Sequence, residues 1–168
     1  MIYVCSLARL SATVAETEAR HIVTLINDET RVPRPASVRA EDHLFLGMHD
    51  IAAELEGFNA PGEAHVRELI TFVKRWPREK PIVVHCWAGI SRSTAAAIIT
   101  AAALNPDRDE RAIAQAVRDS SPTASPNLRL IALADQQLGR KGRLIAAVDR
   151  IGRGVDAFEG VPFVLDLN

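Results

Sequence analysis

Apolar residues fall along this chain first in short unbroken runs and later at helical spacing, and the alternation of the two patterns sets the expected architecture. Ile2-Tyr3-Val4-Cys5-Ser6-Leu7 reads as a strand, and Thr13-Val14-Ala15-Glu16 resembles a capping box that opens a short helix. His21-Ile22-Val23-Thr24-Leu25-Ile26 is a second strand, ended by the turn-forming Asn27-Asp28, and residues 43–48 form a third. A stretch with Gly and Pro punctuation follows from Ile51 to Gly62. Pro61 stands near the start of a helix in which Val66, Leu69, Ile70 and Val73 recur, ending near Trp76-Pro77. Pro81-Ile82-Val83-Val84 is β-branched and apolar, a buried strand, whereas Ser93 to Leu104 is apolar nearly all round, a buried helix. Residues 109–118, 128–138 and 143–151 read as three more helices. Strands with helical crossovers predict an α/β fold: a single domain over 1–168, its central, mostly parallel sheet of roughly four to five strands flanked by helices. The C-terminal Pro162-Phe163-Val164-Leu165-Asp166-Leu167 is apolar enough to dock, with a surface groove and a neighbouring chain both open as its seat.

Composition narrows the function classes. The chain has 168 residues, 48% of them apolar, which suits one domain with a sizeable core. A net charge of −1 with dispersed basic residues offers no footprint for nucleic acid or an anionic membrane. No run reaches the roughly 18 apolar residues of a membrane helix, and the opening residues lack the basic region of a secretion signal. A cytoplasmic protein is expected. Its two cysteines, Cys5 and Cys86, exclude a disulfide framework and form no Cys-x-x-Cys pair for zinc. Cys5 reads as a small core hydrophobe, with a disulfide to Cys86 under oxidation as the alternative.

The chemistry concentrates in His85-Cys86-Trp87-Ala88-Gly89-Ile90-Ser91-Arg92-Ser93, a loop between the apolar strand and the buried helix. A loop entering a helix leaves backbone N–H groups without intrahelical partners, and the peptide dipoles add positive charge there, so anions bind readily. The same field favours the thiolate of Cys86, the nucleophilic form. Arg92 can engage two phosphate oxygens with its planar fork, and Gly89 permits the tight backbone such a loop requires. Taken singly, Cys86 would be a core residue, Arg92 a solvent-facing one, His85 a satisfied core polar group and Trp87 packing.

These nine residues resemble, position for position, the His-Cys-x-x-Gly-x-x-Arg-Ser/Thr signature of the cysteine-based protein tyrosine phosphatase superfamily. The resemblance implies that Cys86 attacks phosphorus and forms a phosphocysteine, and that Arg92 binds the phosphate and stabilises the transition state. Ser93 would help the thiolate leave, and His85 would support the cysteine from behind. Backbone amides of Trp87, Ala88, Gly89, Ile90, Ser91 and Arg92 would cradle the phosphoryl oxygens, so no metal or other cofactor is implied. A general acid is expected on a loop before the cysteine. Asp50, just beyond the third strand, is the candidate by position, with Glu54, Glu56 and Asp42 as competitors; His49 either tunes that acid or lies on the surface. Ser125-Pro126-Asn127 is similar to a triplet of the dual-specificity branch; Ser125 is expected as a helix N-cap with Pro126 at the first helical position, and contact of Asn127 with the site is the alternative.

The loop holds no lysine, which argues against highly charged phosphoinositides, and Tyr3 is the one tyrosine, so no tyrosine-bearing recognition loop is evident. The resemblance therefore points to the dual-specificity-like branch, acting on a phosphorylated protein or an aryl phosphate. A phosphate-binding interaction module with little turnover is the other class of function, and a sulfurtransferase a third. Oligomeric state is left open.

Overall fold

A computed structural model describes residues 1–167. Five strands, β1 (Ile2–Ser6), β2 (His21–Ile26), β3 (His43–Gly47), β4 (Ile82–Cys86) and β5 (Phe163–Leu165), make one sheet in the order β3-β2-β4-β1-β5. The first four are mutually parallel, and β5 runs antiparallel on the outer edge of β1. The C-terminal apolar segment therefore docks on this chain's own sheet.

Because β4 lies between β1 and β2 with both faces covered, it is buried throughout, which accounts for its unbroken apolar sequence. Alternation along the strands sends Ile2, Val4, Val23, Leu25, Ile82 and Val84 to a large core on one face. Cys5, Ile22 and Val83 go to a smaller core on the other. The large core is closed by α2 (Glu63–Arg75), α3 (Arg92–Leu104), α4 (Glu110–Ser120), α5 (Leu128–Gln137) and α6 (Arg143–Ile151). α1 (Leu10–Thr17) covers the small one with Leu10 and Val14. Every residue of α3 from Arg92 to Ala102 is buried, so this helix has no solvent face, and its alanines let neighbouring helices approach closely.

The Thr13-to-Glu16 pattern does not open α1, as the sequence suggested. That helix begins at Leu10 behind Arg9, without a side-chain cap, and the Thr13 amide already donates to Arg9 O at 2.9 Å. Burial of Leu10 and Val14, one turn apart, outweighs the capping signal.

Among the described residues no helix is long and apolar enough to cross a membrane.

Candidate active site

β4 delivers Cys86 to the carboxyl edge of the sheet and α3 starts at Arg92, leaving Trp87 to Ser91 as the connecting loop. Four carbonyls of this loop are bound from outside. Trp87 O accepts from Leu7 N at 3.1 Å, Ala88 O from Gly160 N at 2.8 Å, Ile90 O from Ser125 N at 3.0 Å and Ser91 O from Asn127 N at 3.3 Å. In a planar trans peptide the N–H points opposite to the carbonyl that precedes it, so the amides of Ala88, Gly89, Ser91 and Arg92 face inward. The Gly89 amide donates to Cys86 Sγ at 3.3 Å, as this geometry requires, and Ser93 Oγ lies 3.2 Å from the same sulfur. Gly89 has φ +74°, and a Cβ there would stand 2.8 Å from the Cys5 carbonyl carbon and the Ser6 nitrogen. Only glycine fits that position.

Arg92 is 6% exposed and donates from Nη1 to Met48 O at 2.7 Å. Its Nε is buried without a hydrogen-bond partner, with Asp50 Oδ2 3.7 Å away. A buried guanidinium donor left unpaired costs on the order of 1–3 kcal/mol. An anion in the ring of inward amides would satisfy it.

Asp50 faces this loop from beyond β3. Its Oδ1 accepts from Ser91 Oγ at 2.8 Å and from Asn127 Nδ2 at 2.9 Å. The segment carrying it is closed by paired bonds: His49 N donates to Asn59 O at 2.8 Å, and Asn59 N donates to His49 Nδ1 at 3.0 Å. His49 also meets the Phe58 ring edge to face at 5.0 Å, so it staples this loop. The competing carboxylates are engaged elsewhere. Glu54 pairs with Arg129 at 2.8 Å, and Asp42 sits at the opposite end of β3 against Arg39 and His21. Glu56 is exposed, with no ion-pair partner among the described residues.

Ser125 is not the N-cap of α5. Asn127 takes that place, its Oδ1 accepting from Leu130 N at 3.1 Å, while its Nδ2 reaches Asp50. The side-chain amide carries an acceptor and donors on separate atoms, so one asparagine bonds the helix start and Asp50 at once. Ser125 Oγ instead accepts from Gly154 N at 3.0 Å, and Pro126 precedes the cap.

Behind the loop, His85 is fully buried, and burial lowers its pKa to about 4. Its Nδ1 lies 3.3 Å from Cys86 O and its Nε2 2.7 Å from Thr24 Oγ1, which is also 2.7 Å from His43 Nε2. Only one arrangement of protons satisfies all three contacts: His85 donates from Nδ1 and accepts at Nε2 from the Thr24 hydroxyl, whose oxygen accepts from His43. Sequence reading missed Thr24. The available signal was a lone polar residue inside an otherwise buried strand, which demands a partner.

A pH dependence of stability follows. Between its ordinary value of 6.5 and about 4, the unfolded chain binds a proton at His85 that the folded chain excludes, so stability rises with pH through this window and is lost on acidification. The expected loss by pH 5 is about 2 kcal/mol, with His21 and His43 shifted in the same direction by burial. Urea unfolding at pH 7 and pH 5 measures it; a fall that His85→Asn leaves undiminished would assign the effect elsewhere.

The remaining cysteine is poorly suited to chemistry, because burial pushes the Cys5 thiol up to about 12. Both cysteines are free. Among the described residues no group of three or more His, Cys, Asp or Glu side chains is placed to hold a metal ion.

Comparison with known proteins agrees with this geometry. The protein-tyrosine phosphatase family model matches residues 57–121, a span that contains β4, the loop and α3. A search of the curated proteins found no match. Among solved structures, the PTP-2 phosphatase of Cydia pomonella is similar at 21% identity over 80% of this chain and 84% of its own, with a TM-score of 0.63. DUSP15 is similar at 18% identity over 89% of each chain, also with a TM-score of 0.63. PTPMT1 in complex with PI(5)P aligns at 18% identity over 84% of this chain and 94% of its own, with a TM-score of 0.63. The family model matches the part of the chain that holds the signature loop, and these solved structures share its fold.

Proposed function

We propose that this chain hydrolyses phosphate monoesters through a phosphocysteine at Cys86, acting as a protein tyrosine or dual-specificity phosphatase. The observation that carries the reading is the buried Nε of Arg92, without a hydrogen-bond partner, beside a ring of inward amides and the Cys86 sulfur. A phosphoryl dianion in that ring meets the guanidinium and the amides together.

Cys86 Sγ attacks phosphorus, so the S–P bond forms as the bond to the leaving oxygen breaks. Asp50 gives that oxygen its proton. Ser91 and Asn127 hold Oδ1, which leaves Oδ2, on the Arg92 side, to carry it. Water then attacks phosphorus, Asp50 takes its proton, and the sulfur leaves as thiolate beside the Ser93 hydroxyl at 3.2 Å. His85, neutral at physiological pH, supports the backbone of Cys86 from behind.

Phosphotyrosine and aryl phosphates are the favoured substrates. The loop offers Trp87, Ala88, Ile90 and Ser91 where a highly charged phosphoinositide would call for lysines. The two free cysteines suit a reducing compartment such as the cytoplasm. p-Nitrophenyl phosphate tests the reading: vanadate-sensitive release without added metal is expected, and binding of phosphate with turnover at background would contradict it and leave a binding module.

A further inference from the structure

The residues between α6 and β5 form a strap across the outer side of the loop. Val155 N donates to Pro122 O at 2.9 Å, Gly154 N to Ser125 Oγ at 3.0 Å and Gly160 N to Ala88 O at 2.8 Å. Arg118 fastens the base of the strap, donating to the carbonyls of Ile151 and Gly152 and to those of Ser121, Pro122 and Ala124. Gly160 packs so closely that a Cβ would meet Gly89 O at 2.9 Å. Through these bonds the strap presents Phe158, 94% exposed, and Glu159 beside the exposed Trp87.

Leu7, Ala8, Trp87, Ala88, Phe158 and Glu159 line a cavity of about 290 Å³. Two of them directly follow Cys86, so the cavity opens within roughly two residue lengths, about 4–8 Å of chain, of the reacting sulfur. Its walls combine two aromatic rings with one carboxylate. Glu159 Oε1 accepts from Ser6 Oγ at 2.5 Å, and among the described residues no basic side chain pairs with it.

We propose that this cavity is a subsite for a basic residue, arginine or lysine, flanking the phosphorylated residue of a protein substrate. The inference rests on the phosphatase reading of the adjoining loop and specifies its substrate class. A carboxylate without a cation partner selects positive charge, the faces of Trp87 and Phe158 attract a guanidinium or ammonium, and the apolar walls accept its aliphatic stem. Proximity to the loop ties the cation to a residue one or two positions from the phosphate. A substrate with an acidic flank would set its charge against Glu159 and be disfavoured.

Phosphotyrosine peptides carrying Arg, Ala or Glu one or two residues to either side of the phosphotyrosine test this, with p-nitrophenyl phosphate, which has no flank, as the reference. Arg at one of these positions is expected to raise kcat/KM over Ala by about tenfold, and Glu to lower it. Glu159→Gln should bring the Arg-to-Ala ratio down to about two, and Phe158→Ala should reduce it as well; both side chains are exposed enough for the fold to tolerate the change. The same ratios read as Kd by fluorescence anisotropy on Cys86→Ser keep the preference measurable without turnover. Hydrolysis of p-nitrophenyl phosphate with equal use of all peptides, or a preference unchanged in Glu159→Gln, would overturn the subsite and leave the phosphatase reading standing. No hydrolysis of either substrate with the binding preference intact would do the reverse.

Discussion

Replacing Cys86 with serine is expected to bring phosphate-ester turnover down to background, a loss of at least about 10⁴-fold, while the protein stays folded and binds tungstate. Serine nearly matches cysteine in shape, so the inward amides and Arg92 keep their places. What disappears is the thiol nucleophile, and a serine hydroxyl stays protonated at neutral pH. Ser93 Oγ lies 3.2 Å from the sulfur, the place from which, on the proposed mechanism, it assists the leaving thiolate. Steady-state kinetics with a binding measurement on the same preparation decide it. Substantial hydrolysis by Cys86→Ser would show that the sulfur is not the attacking atom.

The second large effect belongs to Asp50. Asn at this position preserves the acceptor at Oδ1 that Ser91 and Asn127 use, so the loop should remain docked against Arg92. It removes the proposed proton carrier, Oδ2, together with the negative charge that faces Arg92 Nε at 3.7 Å. Turnover is expected to fall about 100-fold to 10,000-fold with binding of phosphate analogues retained. The loss should be larger for phosphotyrosine peptides than for p-nitrophenyl phosphate, whose leaving group needs less help from an acid. A fully active Asp50→Asn alongside an inactive Glu54→Gln would reassign the acid, against the position of Glu54 on Arg129.

Much of this was legible in local sequence. β4 and α3 announce themselves because each is buried all round and therefore apolar without interruption, and the residues between them must then form a loop at a helix start. Gly89 was read as permitting the left-handed backbone of a tight loop, and its φ is +74°. Asp50 was named by its place after a strand, and its carboxylate lies against Ser91 and Arg92. Asn127 was harder. Both Ser125 and Asn127 are good capping residues, and the choice is made by the tertiary bonds that occupy Ser125 Oγ and draw Asn127 Nδ2 toward Asp50. The strap was not legible at all, since Phe158 and Glu159 carry no periodicity and acquire meaning only when β5 pairs with β1 and draws the preceding residues across Ala88 and Gly89.

Hydrolysis by way of sulfur is tested most directly by rapid acid quench of the enzyme during turnover, followed by mass spectrometry of the peptide that contains Cys86. The expected result is phosphate bound through sulfur on that peptide in the wild type and its absence in Cys86→Ser. Vigorous turnover with no phosphorylated Cys86 at any quench time would contradict the mechanism.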